Sequence, residues 1–279
     1  MITAEDASLT EAGFYWREQG ELRLLVCKGL EQAGFANGFS TRMGGVSPFP
    51  ENSLNLAGFN EDTRENIYEN RRRFLELFPA RYELALAWQV HGDDIRRVET
   101  PDDAGDSDIR ADAVVSDLPG VLAGVKTADC VPVLVGDSQT GAYAAIHAGW
   151  RGTVQSIVSK AIAHLKASYE VDPGDVIAAI GPAACGRMYE VGREVIDQFH
   201  QNFGEASAAY FSPTRAGHAL VDLHRANRDQ LVSADVDERN IYTAPLCTME
   251  RSDLFFSYRL EKAKYGKTGR LLSVIGRRQ

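Results

Sequence analysis

Residues 128–153 read ADCVPVLVGDSQTGAYAAIHAGWRGT, and the rest of the chain is organised around them. VPVLV (131–135) and AYAAI (142–146) are short, apolar and bounded by turn residues, which predicts two buried antiparallel strands. With a loop running from Asp137 to Thr140, Gly136 faces Gly141 and the register carries Cys130 opposite His147. Cross-strand neighbours hold their Cβ atoms about 5 Å apart, so a thiolate and an imidazole would share one face. A slip of one residue would put them on opposite faces, so the pairing rests on the loop length.

Downstream, Val154, Ile157, Val158, Ala161, Ile162 and Leu165 keep helical spacing, which predicts an amphipathic helix capped by Thr153. Upstream, ADAVVSD (111–117) and VLAGVKTADC (121–130) read as strands leading into the hairpin, behind an acidic loop, DDAGDSDI. LALAWQV (84–90) reads as a buried strand ending at His91-Gly92, where a histidine either projects into a cleft or serves structure. Between Asp62 or Thr63 and Phe78 the spacing predicts a helix. It would bury Ile67, Phe74, Leu75 and Phe78 and turn Arg64, Arg71 and Arg72 to solvent.

FYW and LRLLVC read as strands, and ANGFSTRMGGVS as a strand running into a loop. Arg42, beside Gly44-Gly45, suits an anion cradle, though an exposed arginine on a Gly-Gly turn is ordinary too. SLNLAGFN is turn-rich. DVIAAIGPAAC reads as a buried strand turning at Gly181-Pro182, and YEVGREVIDQF and VDLHRANRDQLV as two more helices. The last stretch, from Ala244, alternates short strands with a basic loop. Residues 1–12 read as a frayed tail and 13–279 as one compact catalytic domain of α/β (α+β) class, without linker or repeat.

A net charge of −9 argues against a nucleic-acid or anionic-membrane partner. No segment reaches about 18 apolar residues, and the start is acidic and polar, so neither a membrane span nor a signal peptide is expected. Cysteines 27, 130, 185 and 247 form no CxxC pair, which reads as a reduced cytoplasmic protein.

His91, Cys130 and His147 could converge. Two imidazoles and a thiolate leave a tetrahedral zinc ion one open position, as catalytic sites do, and a water there would have a pKa near ~7. Three rivals stand beside this reading. One is a thiolate–imidazolium nucleophile, one a mononuclear copper site, and one a buried apolar thiol at Cys130. A three-copper cluster is harder to build, because none of the six histidines (91, 147, 164, 200, 218, 224) stands two residues from another. His164, His200 and His218 are assigned surface or structural roles.

FSTRMGGVS, LNL, WQVHGDDI, ADC…HAGWRGT, IGPAACGRMYEVG, DLHRANRDQL, CT and FFSYR occur in the order found in the YfiH family. Its members carry the names laccase-domain protein, polyphenol oxidase, peptidoglycan editing factor and purine nucleoside phosphorylase. The resemblance runs from about Gly38 to Gly276, and it implies a layered α/β/β/α fold of mixed sheets. It implies one zinc ion on His91, Cys130 and His147. It also implies phosphorolysis of adenosine, inosine, guanosine or methylthioadenosine, with deamination of adenosine. Asn37 departs from the pattern, since many relatives carry histidine there, and a role for Cys185 stays open.

Phosphorolysis needs a held phosphate, which a planar guanidinium suits, making Arg42 and Arg151 the candidates. Phe39, Trp150 and Tyr258 are candidates to line an apolar purine slot. The alternatives are an amide hydrolase editing cell-wall peptide precursors and a copper-dependent polyphenol oxidase.

Overall fold

The computed structural model describes residues 3–57 and 62–278. The chain opens with α1 (Ala4–Glu11), β1 (Phe14–Gln19), β2 (Leu22–Cys27), α2 (Lys28–Gln32) and β3 (Phe35–Ser40). Next come α3 (Arg64–Leu75), β4 (Glu83–Ala85), β5 (Ile95–Arg97), β6 (Ala113–Ser116) and β7 (Val121–Thr127). The hairpin β8 (Val131–Asp137) and β9 (Tyr143–Ala148) leads into α4 (Trp150–Val154) and α5 (Ile157–Tyr169). The remainder is β10 (Val176–Ile180), β11 (Glu190–Gly192), α6 (Arg193–Phe203), β12 (Phe211–Pro213), β13 (His218–Val221) and α7 (Leu223–Ser233). It closes with β14 (Ile241–Thr243), α8 (Tyr258–Tyr265) and β15 (Leu271–Arg277).

Two six-stranded mixed sheets carry the fold, ordered β1-β2-β3-β15-β7-β4 and β14-β10-β8-β9-β6-β5. Their facing sides share one core in which Phe14, Phe35 and Phe39 meet Leu134, Tyr143 and Ala145. The outer face of the first sheet (Leu24, Leu122, Val274) packs on Phe74 of α3 and on Leu77 and Phe78 beyond it. That of the second (Val133, Ile146, Ala178) packs on α4 to α7 through Val154, Ile157, Phe199 and Leu231. The layers are α/β/β/α, as the resemblance implied. Burial of apolar faces on both sides of both sheets explains why their strands read as continuous apolar runs.

The hairpin forms with the expected four loop residues, but the loop starts one residue later. Gly136 pairs with Tyr143 and Pro132 with His147, where Gly136 was expected to face Gly141. The turn chemistry decides this. Asp137 accepts the N–H groups of Gln139 and Thr140 at 2.9 and 3.1 Å, and Gly141 takes the left-handed φ of 79° that closes the loop. A shift of two preserves parity, so Cys130 and His147 stay on one face while Gly149 takes the place opposite Cys130.

Other segments depart from expectation. Residues 4–11 form a helix with a capping box at Thr3 and a buried Leu9 rather than a frayed tail. α3 is capped by Thr63 as expected, but Arg71 is buried, held by Asp106 at 2.7 Å and the Ala57 carbonyl at 3.2 Å. In LALAWQV only Leu84 and Ala85 belong to a strand, and Trp88 and Val90 are exposed. The helix after the hairpin starts at Trp150, not behind a Thr153 cap, and breaks at Ser156 (φ 60°) before α5. Thr153 is buried instead against Asn227. YEVGREVIDQF and VDLHRANRDQLV each begin in a strand, β11 and β13, before their helices. The terminal stretch holds a helix, α8, where only strands and a loop were read. SLNLAGFN lies partly outside the described residues.

Candidate metal centre

Among the connections that cross between the two sheets, β4 to β5 and β7 to β8 each carry a candidate ligand. His91 sits on the first with φ 60°, and Asp129 on the second with φ 83°, just before Cys130. Left-handed backbone in non-glycine residues is costly and persists only where surroundings enforce it. Here two buried carboxylates do so. Asp112 accepts the backbone N–H groups of Val90, His91 and Gly92 at 3.1, 3.0 and 2.7 Å. Asp129 accepts the hydroxyls of Thr248 and Ser257 at 2.6 and 3.0 Å and the Arg259 N–H at 2.7 Å.

His147 is the penultimate residue of β9, on the inter-sheet side two residues beyond Ala145. Its Nδ1 lies 2.7 Å from the same Asp112 carboxylate, which leaves Nε2 as its free nitrogen. The donor atoms of His91, Cys130 and His147 all lie within 4.8 Å of one another. The two imidazole centroids are 4.9 Å apart at 78°. One carboxylate thus sets the backbone of one histidine and the ring of the other. Such a carboxylate–histidine arrangement is characteristic of metal sites.

Electrostatics prepare the donors. Burial alone would raise the Cys130 thiol, but the His147 imidazolium and hydrogen bonds from both histidines bring it down to about 6. Burial would likewise depress His147, yet the Cys130 thiolate and Asp112 lift it to about 9. Asp112, although buried, is held below the usual carboxylate range by His147 and the N–H groups of Gly92 and Val90. The thiolate that a cation needs is therefore present at neutral pH, and the donor set fits a zinc or mononuclear copper ion. The same pair could also act as a nucleophile and its acid–base partner.

Gly149 closes the site. A Cβ there would stand 2.9 Å from Cys130 Sγ and 3.2 Å from His91 Cδ2. Its φ of −68° suits any residue, so only space requires glycine. Gly149→Ala is expected to leave the fold intact while weakening metal retention at least about tenfold. Chelator competition checks this, and unchanged retention would show that the cluster tolerates the methyl.

The substrate candidates divide. Trp150 and Arg151 open α4 directly beside Gly149, with the exposed Arg151 guanidinium 4.2 Å over the Trp150 ring. Tyr258 is 48 % exposed at the start of α8, one residue before the Arg259 that binds Asp129. Phe39, by contrast, is 2 % exposed in the inter-sheet core and cannot line a slot. Arg42 is not free to clamp phosphate. Its guanidinium pairs with Glu261 at 2.8 Å and donates to the carbonyls of Ser252 and Phe255 at 2.7 and 3.1 Å. It borders a cleft of about 1230 Å³ with Arg23, Phe49 and Tyr265, and none of the three cluster residues lines that cleft. Asn37 has a structural reason for its departure, since its amide bonds both the N–H and the carbonyl of Cys27.

Sequence reasoning missed Asp112, Asp129, Tyr189 and Arg259. An aspartate at the mouth of the apolar run AVV was the available signal for Asp112. Tyr189 is raised by burial and by the nearby Cys130 thiolate, and Arg259 lies 4.8 Å over its ring.

Residues 36–278 match the family described as multi-copper polyphenol oxidoreductase laccase. The chain is 35% identical over 263 residues to the purine nucleoside phosphorylase YlmD of Geobacillus stearothermophilus, covering 91% of this chain and 94% of that one. To the Escherichia coli purine nucleoside phosphorylase YfiH it is 34% identical, covering 91% and 98%. The crystal structure of the Geobacillus YlmD superposes with a TM-score of 0.86 at 34% identity, covering 95% of this chain and 99% of that one. A Bacillus licheniformis structure, described as hypothetical protein YfiH, does so with a TM-score of 0.86 at 29% identity and the same coverage. By sequence over nearly its whole length and by fold, this chain belongs to the YfiH, or laccase-domain, family.

Proposed function

We propose that this protein is a zinc-dependent purine nucleoside phosphorylase that acts on adenosine, inosine, guanosine or methylthioadenosine and also deaminates adenosine. The observation that carries the reading is the convergence of His91, Cys130 and His147, set by Asp112 and opening beside Trp150 and Arg151. The names of its relatives supply the substrate class. His91, Cys130 and His147 would hold the ion, which supplies Lewis acidity and acidifies water when bound. Zinc is favoured over a copper cluster because the six histidines contain no H-x-H pair.

Around the ion, this chain's own residues bind and orient. Arg151 presents a planar fork to phosphate oxygens, and the faces of Trp150 and Tyr258 offer apolar area to a purine. Four free cysteines and a net charge of −9 fit a reducing compartment and small-molecule substrates rather than nucleic acid. Among the described residues no helix is long and apolar enough to cross a membrane.

A panel of nucleosides and cell-wall peptides, run on protein of verified metal content, tests the assignment. Arg151→Ala is expected to raise the apparent phosphate KM about 10- to 100-fold, the worth of a charge-assisted contact. Deamination, which uses water, should change little. Equal loss of both activities would remove Arg151 from phosphate binding. Turnover of peptides alone would favour an amide hydrolase using the Cys130–His147 pair.

A further inference from the structure

Cys185 and Cys247 are far apart in sequence but adjacent in the fold. Ala183 bridges Cys247, and each cysteine opens a tight turn. In the first, Met188 and Tyr189 donate to the Cys185 carbonyl at 2.9 and 3.0 Å. In the second, Arg251 donates to the Cys247 carbonyl at 3.0 Å, which folds Glu250 back over Cys247. The Cys185 N–H donates to Cys247 Sγ at 3.2 Å. The two sulfurs and a Glu250 oxygen lie within 4.8 Å of one another. We propose that Cys185, Cys247 and Glu250 form a second metal site, for a borderline-soft divalent ion of the zinc class.

Two thiolates select such an ion over magnesium or calcium, and the backbone N–H aimed at a sulfur is the support a thiolate requires. Arg187 holds both Glu250 oxygens, at 3.1 and 2.8 Å, and so fixes the carboxylate while leaving its other lone pairs free. Its charge also closes the balance, because two thiolates, one carboxylate, a divalent ion and one guanidinium sum to zero. Binding displaces two thiol protons to solvent. Burial and the neighbouring Cys247 thiol push Cys185 up to about 12. A disulfide would use only the sulfurs and give Glu250 no part.

The position also has a consequence for the first centre. Ala184 donates to the Asp129 carbonyl at 3.0 Å and Thr248 to the Asp129 carboxylate at 2.6 Å. The neighbours of both cysteines thus hold the residue before Cys130, and an ion here would lock that support.

The test loads the full reduced chain with excess zinc, removes the unbound metal by gel filtration and counts zinc by elemental analysis. Two zinc ions per native chain are expected, one in Cys130→Ala and one in the double variant Cys185→Ser/Cys247→Ser. Glu250 is exposed, so Glu250→Gln should fold normally and hold the second zinc at least about tenfold more weakly against a chelator. That variant alone decides if the double variant does not fold. One zinc that Cys130→Ala loses would overturn the proposal, as would a Cys185–Cys247 disulfide in zinc-treated protein. One zinc that Cys130→Ala keeps and the double variant loses would support this site and remove the first, so the two failures are separable.

Discussion

Asp112→Ala is expected to cost about 3–5 kcal/mol of stability and to weaken metal binding about 10- to 100-fold. The carboxylate is fully buried and accepts three backbone N–H groups as well as His147 Nδ1. Removing it strands four donors, the His147 ring nitrogen fully buried and the three backbone N–H groups part-buried, and a stranded buried donor costs more than the bond it made was worth. The metal loss has a separate cause, because His91 loses its enforced backbone and His147 its ring orientation at once. Asp112→Asn keeps the shape but removes the charge that raises His147, so it should fold better than the alanine variant while still binding metal weakly. Denaturant unfolding and chelator competition on both variants check this. Native metal affinity in a stable Asp112→Ala protein would mean that the histidines are set by other contacts.

Arg42→Ala is expected to destabilise by about 3–5 kcal/mol, because removing one partner of a buried ion pair leaves the other charge uncompensated. The side chains of Arg42 and Glu261 are 11% and 8% exposed. The guanidinium also lies 4.6 Å over the Phe256 ring. It ties the loop after β3 to α8 and the segment before it, so its loss should loosen Tyr258 without touching phosphate directly. Denaturant midpoints read the stability, and the phosphate KM of the folded variant should stay within about twofold of native. A stable variant with a raised phosphate KM would restore Arg42 to phosphate binding.

The metal centre was legible in the sequence because its three donors stand at ends of apolar runs, where side chains leave the core. Parity protected the reading even though the hairpin register was two off, since a shift of two returns the same face. Asp112 was not legible. It acts on His91 and His147 from 21 and 35 residues away, and nothing in a local pattern reports a distant hydrogen bond. Phe39 was misplaced for a related reason. All six residues of β3 are buried, so the strand shows no period-two alternation to separate core from cleft. Arg42 and Arg151 look alike as arginines beside glycine, and only the opposing chain, Glu261 for one and solvent for the other, tells them apart.

Two of the sheet-to-sheet crossings carry a candidate ligand, and this sets when an ion could be held. His91 leaves the first sheet from β4, Cys130 leaves it from β7, and His147 belongs wholly to the second. Until the layers dock, the three donors are tethered only by long stretches of chain, and closing such loops is entropically unfavourable. An ion held by these three donors would therefore bind after the layers dock rather than nucleate the fold. It would be held only on a finished scaffold, since a nascent chain with undocked layers does not bring the three donors together. Any choice among metals would then rest with the completed architecture rather than with the order in which cysteine and histidines leave the ribosome.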